Sequence, residues 1–188
     1  FWLLATSGLA GYFLCDTCLF QMHVDIGPRL GILIFSFYPF ASAFLAWLIL
    51  GEMLSVSAWL GIAVTLAGIA WVVSERRARN HRAHGEHFTR GILLGVGAVV
   101  FQGLSFTLAK PAMIGEGAVD PLTATIVRAI FGGVAFWLIS VFRGRIKMTL
   151  RKVRDKRSMA FIGMGAVVGP SVGVWLSMVA IKLAPVGI

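Results

Sequence analysis

The chain has 188 residues, of which 58% are hydrophobic and 13% charged, with a net charge of +9. Soluble domains carry about a quarter charged residues, so this composition excludes a water-soluble surface. Thirteen of the 17 Lys and Arg fall in two segments, 74–90 and 143–157, which explains the basic charge without a nucleic-acid partner.

Six apolar stretches of about 19 to 24 residues follow one another, at roughly 1–23, 28–50, 55–73, 91–110, 121–142 and 159–182. About 20 apolar residues at 1.5 Å rise cross a hydrocarbon core of about 30 Å, so each stretch is predicted to be a membrane-spanning helix. The stretches are continuously apolar and about twice the length of a tilted barrel strand. They predict an all-α, polytopic helical bundle, with the lipid bilayer as its solvent.

The first stretch starts at Phe1 and Trp2 without a basic leader region, so it does not read as a signal peptide. Ser7, Gly11 and Cys15 recur at intervals of four, a ladder of small residues that lets another helix approach closely. Asp16 lies within this span, where it can pair with a basic group, bind a cation or carry a proton. Cys15 and Cys18 form C-x-x-C, the spacing of dithiol redox sites; without a thioredoxin-like context they read first as small residues at a helix contact. The second stretch has Tyr38 and Pro39 near its middle. A proline there frees a carbonyl and bends the helix, either as a hinge or as a packing kink. The short turn from Gly51 to Ser55 predicts that the second and third helices form an antiparallel hairpin. Glu52 in that turn is a structural residue or a partner for a neighbouring helix or cation.

A second small-residue ladder, Ser57, Gly61 and Thr65, marks the third stretch. In the basic segment after it, His81, His84 and His87 recur every three residues; this reads as a solvated linker, and no metal or other cofactor is expected. The fourth stretch contains Gln102, which with Tyr38 can hydrogen-bond inside a cavity, and ends at Lys110 before Pro111. Arg128 lies about eight residues into the fifth. A charge at a helix centre costs about 2.5–3.5 kcal/mol on insertion scales. Arg128 therefore contacts substrate, gates, bonds backbone carbonyls or snorkels to the interface. The sixth stretch carries the longest ladder, Gly165, Gly169, Gly173 and Ser177, and ends near Lys182. Lys110 and Lys182 can snorkel or touch substrate, and Trp47, Trp71, Trp137 and Trp175 read as packing residues or interface anchors.

The two basic segments are separated by two spans, so they share one side, and the positive-inside bias makes that side cytoplasmic. Residues 111–120 between them contain Glu116 and Asp120 but no Lys or Arg. Shifting the chain by 157 residues lays Pro185 on Pro28 and Gly165 on Gly8, which suggests two related halves of about 150 residues. On that arithmetic, and because residue 1 is not Met and 184–188 look like the opening of another helix, the chain reads as an internal part of a longer one.

Ile26-Gly27-Pro28-Arg29, then Tyr38-Pro39, then Phe44 to Glu52, then Trp59-Leu60-Gly61 and Ala67-Gly68, resemble the end of an EamA-type repeat of the drug/metabolite transporter superfamily. Gly91 to Lys110, Pro121 to Phe142 with its Arg128, and Met178 to Ile188 resemble the second repeat. The resemblance implies a ten-helix (5+5) inverted-repeat transporter. Residues 1–73 would be the last three helices of the first repeat, 74–90 a basic connecting loop, and 91–188 the first three helices of the second and the start of a fourth. It implies a secondary transporter, not an enzyme, in the bacterial plasma membrane. Such a protein moves small metabolites, amino acids or drug-like solutes by alternating access, more often outward, with proton or counter-substrate coupling. The family pattern carries an Arg at position 128 and a Lys at 110, and its usual layout puts 74–90 outside, against the charge bias. Substrate-cavity or coupling candidates are thus Asp16, Tyr38, Pro39, Glu52, Gln102, Lys110 and Arg128. Two other classes compete: a membrane thiol oxidoreductase using Cys15 and Cys18, and a non-transporting membrane scaffold that would leave Asp16 and Arg128 unexplained.

Overall fold

The computed structural model describes residues 1–52, 55–79, 86–114, 117–144 and 156–183. Helices occupy every apolar stretch. They are α1 (Trp2–Ile26), α2 (Pro28–Leu50), α3 (Val56–Arg79), α4 (Glu86–Ala109), α5 (Pro121–Phe142) and α6 (156–183). Among the described residues, five helices are long and apolar enough to cross a membrane, and α3 covers the remaining predicted span.

Local chemistry sets the helix ends. Gly27 takes φ +83° between α1 and α2, and Pro28 opens α2, since its fixed φ suits a first helical position. Gly51 closes α2 in the left-handed conformation, φ +67°, and the Glu52 N–H after it donates to the Ala46 carbonyl at 3.4 Å. At α5 the Asp120 carboxylate accepts from the Leu122 N–H at 3.0 Å, ahead of Pro121.

The break predicted at Pro39 is real. α2 consists of Pro28–Phe35 and Tyr38–Leu50, joined by a turn at Ser36 and Phe37. Pro39 has no N–H to give, and its ring would strike the carbonyl four residues back, so the helix restarts with Pro39 in its first turn. The Ser36 hydroxyl covers one freed carbonyl by donating to Leu33 O at 2.7 Å.

Two features lay outside the sequence reading. α1 contains a π-helical segment, Leu9–Cys15, and α6 contains another, Val167–Gly173. Their starts are 158 residues apart (167 minus 9), one residue from the 157-residue offset suggested by the sequence. An inserted residue of this kind is often found at functional sites.

The central element is α4, which packs against α1 along its length and against both parts of α2; α5 closes on α1, and α6 reaches α5 through Val174–Leu183. Glycines allow the closest crossings. A Cβ on Gly8 would strike the Arg128 backbone, with Cα at 2.8 Å. One on Gly103 would strike Ser42 N at 2.8 Å. The buried core gathers Leu4, Ala46, Phe106, Ala109, Met113, Ala124, Met178 and Ile181 at one end of the bundle, the end where α2 stops and α5 starts.

The first small-residue ladder is where it was predicted: Ser7, Gly11 and Cys15 are all buried in contacts of α1. The other two are corrections. Ser57, Gly61 and Thr65 are exposed, and Gly61 has nothing within 4 Å of an added Cβ; Gly165 and Gly169 are equally open. Small residues permit a close approach but do not supply a partner, and among the described residues none lies against these faces. The α2–α3 hairpin is present, with the Trp59 ring 6.5 Å from those of Phe40 and Trp47. Trp71, Trp137 and Trp175 are exposed, as interface anchors would be.

Candidate functional site

Arg128 is the largest fully buried side chain among the described residues, 1% exposed, at the place where α1, α4, α5 and α6 meet. It neither snorkels nor bonds a backbone carbonyl. Its Nη2 donates to Ser105 Oγ at 2.7 Å and its Nη1 to Met178 Sδ at 3.0 Å. The guanidinium carbon lies 5.7 Å from the Tyr12 ring centre and 5.4 Å from that of Phe106, so two aromatic rings flank the cation. Nε is buried with no hydrogen-bond partner among the described residues.

Ser105 ties this group to α1. Its hydroxyl donates to Ser7 O at 2.6 Å, while the Ser7 hydroxyl donates to Ser105 O at 2.6 Å. This reciprocal pair fixes α1 against α4 and orients the oxygen that accepts from Arg128. Room for it comes from Gly11, where a Cβ would lie 3.0 Å from Ser105 Cβ and 3.3 Å from Arg128 Nη2. Tyr38 joins from the α2 restart, its ring centre 5.8 Å from that of Phe106. Tyr38, Phe106 and Arg128 thus form one continuous set of contacts that includes Phe106 of the core.

Glu52 and Lys110, chosen separately from the sequence, make an ion pair with each other. Lys110 does not snorkel; its side chain is 10% exposed and that of Glu52 19%. The pair joins the end of α2 to the end of α4, capping the bundle on the same side as the core. At the other end of α4, Arg90 Nε lies 3.6 Å from Asp25 Oδ2 at the end of α1. Arg90 and Lys110 are 20 residues apart on one helix, which at 1.5 Å per residue is about the hydrocarbon thickness.

Asp16 is half-buried in α1, directly after the π segment, and no hydrogen bond or ion pair is formed by it among the described residues. Gln102 is half-buried on α4, apart from the Arg128 contacts. Lys182 is exposed in the last turn of α6. Cys15 is buried and Cys18 half-buried, both as free thiols. His81 and His84 lie outside the described residues, and His87 is exposed. Among the described residues no group of His, Cys, Asp or Glu is arranged to hold a metal.

The sequence reading missed Ser7 and Ser105 as polar partners, and with them Tyr12, Phe106 and Met178. Ser7 had a signal in its ladder. Ser105 had one in sitting two residues beyond Gly103, on a helix interrupted by small residues.

A helical, multi-pass bundle with a buried cation among its helices defines the class as an integral membrane protein. The EamA-like transporter family matches residues 1–74 and 89–188, and the chain belongs to that family. No curated protein and no solved structure matches the chain.

Proposed function

We infer that the protein is a secondary transporter of the bacterial plasma membrane, which exports small metabolites, amino acids or drug-like solutes by alternating access. The observation that carries this reading is Arg128. A permanently charged side chain, 1% exposed at membrane depth and held by neutral partners, is a costly feature for a scaffold and a useful one for a solute site. Family membership supports the class. Asp16, one helical turn beyond Tyr12, is the group we assign to proton coupling.

The test is counterflow of labelled amino acids, sugars, nucleosides and organic cations by the full-length protein in proteoliposomes. Saturable flux of at least one solute is expected, and Arg128→Ala should lower it about 100-fold, since removing one partner of a buried charged contact costs about 2–5 kcal/mol. Insertion should be unaffected, because removing a buried charge does not make insertion harder. Normal flux in that variant would remove Arg128 from the site. Asp16→Asn should leave counterflow intact but abolish the response of net flux to an imposed pH gradient. A retained response would move coupling elsewhere.

A further inference from the structure

We propose that Arg128 anchors a carboxylate on the carried solute. The inference rests on the transport reading and names the chemical class for its site.

The argument starts from where the negative charges are. Four acidic side chains belong to residues whose side chains are described, and three are engaged elsewhere: Asp25 with Arg90, Glu52 with Lys110, and Asp120 at the α5 N-terminus. The fourth, Asp16, forms no ion pair among the described residues. Among the described residues, Arg128 therefore carries a positive charge that neutral groups hold in place and do not neutralise. Its partners are one hydroxyl and one thioether sulfur, the latter a weak acceptor.

One edge of the guanidinium lacks an acceptor among the described residues. Nε is fully enclosed and has no partner among the described residues, and such a group is an exception in folded proteins that calls for an explanation. A guanidinium presents Nε–H and an Nη–H as a planar fork that a carboxylate accepts with both oxygens. One such anion would give Nε its acceptor and cancel the charge. The rings of Tyr12 and Phe106, with centres 5.7 and 5.4 Å from the guanidinium carbon, favour a solute with an apolar body beside its acid. Ser105 Oγ already donates to Ser7 O and accepts from Arg128, so the guanidinium is fixed before any solute arrives.

The probes are acids matched with uncharged or non-acidic counterparts: L-leucine with leucinamide, nicotinate with nicotinamide, gluconate with glucose, and glycerol phosphate as a second anion type. Each is tested for counterflow in proteoliposomes and for a shift of the thermal midpoint of the full-length protein in detergent. At least one carboxylate is expected to show saturable flux and to raise the midpoint, with its counterpart doing neither. Arg128→Lys should raise KM about tenfold with kcat little changed, because a point charge replaces a two-pronged donor. Arg128→Gln should lose the ligand-induced midpoint shift while keeping the ligand-free midpoint.

If acid and counterpart are carried equally, or Arg128→Lys leaves KM unchanged, the carboxylate assignment is overturned while transport stands. Flux of glycerol phosphate alone overturns it in favour of a phosphate. An Arg128-dependent midpoint shift with a carboxylate but no flux keeps the anion site and overturns the transport reading. Neither shift nor flux with any probe overturns both.

Discussion

Gly8→Ala and Gly132→Ala are each expected to lower the thermal midpoint of the purified protein by several degrees, while Gly133→Ala leaves it unchanged or raises it by up to a few degrees. The reasoning is steric. A methyl on Gly8 would lie 2.8 Å from Arg128 Cα and 3.0 Å from Arg128 C; one on Gly132 would meet the Tyr12 Cβ and lie 3.2 Å from Gly8 O. These are backbone atoms or the root of a side chain, so nothing nearby can rotate aside and α1 must move off α5. Overpacking of this kind costs about 1–3 kcal/mol, and a chain of this size loses about 2–4 °C per kcal/mol. Gly133, the next residue along, has nothing within 4 Å, and an added methyl there gains helix propensity of about 1 kcal/mol at most. Equal midpoints for Gly132→Ala and Gly133→Ala would mean that α1 and α5 do not touch as described. Loss of function in Gly8→Ala should also follow, because displacing α1 pulls Ser7 from Ser105 and with it the oxygen that positions Arg128.

The second large effect concerns the Glu52–Lys110 pair. Lys110→Met or Glu52→Leu alone is expected to destabilise the protein by about 3 kcal/mol, the range found when one member of a mostly buried ion pair is removed and the other keeps its charge. The double variant should regain most of that loss, since two apolar side chains of similar volume are often as stable as the pair they replace. Thermal midpoints of the four proteins complete the cycle. Additive losses in the double variant would show that the two residues act independently. The Asp25–Arg90 contact at the other end of α4 is longer, 3.6 Å, and Arg90 is 57% exposed, so Arg90→Ala should change the midpoint far less.

The positions of the helices were legible because bilayer thickness imposes a length that six apolar stretches meet, and because Pro and Gly mark their interruptions. The break before Pro39 follows from one missing N–H and one clash, and it appears where the residue stands. The candidate site was legible only as isolated members. Arg128 stood out because charge within an apolar run is conspicuous, and Glu52 and Lys110 because each ends a span. That Glu52 meets Lys110, or that Arg128 selects Ser105 and Met178, depends on how α2, α4, α5 and α6 are rotated about their axes, and hydropathy is nearly uniform around such helices. The π segments were hidden for a related reason. Counting by 3.6 residues assumes a regular helix, so an inserted residue at Leu9–Cys15 turns every later side chain of α1, Asp16 included, away from its expected face. The open ladders on α3 and α6 carry the same lesson from the other side, since a stripe of small residues reads identically whether or not another helix lies against it.

The fixed charge at Arg128 has an electrical consequence. Moving one elementary charge across the membrane is worth about 2.3 kcal/mol per 100 mV, and any rearrangement that carries Arg128 through part of that field is driven or opposed by a share of it. An empty protein moves with this charge uncompensated, whereas one with a monovalent anion at Arg128 moves as a neutral unit. On the transport and carboxylate readings proposed above, the membrane potential acts on the return of the empty form and leaves the loaded step untouched, so voltage would set how often the site is re-presented rather than how tightly it binds.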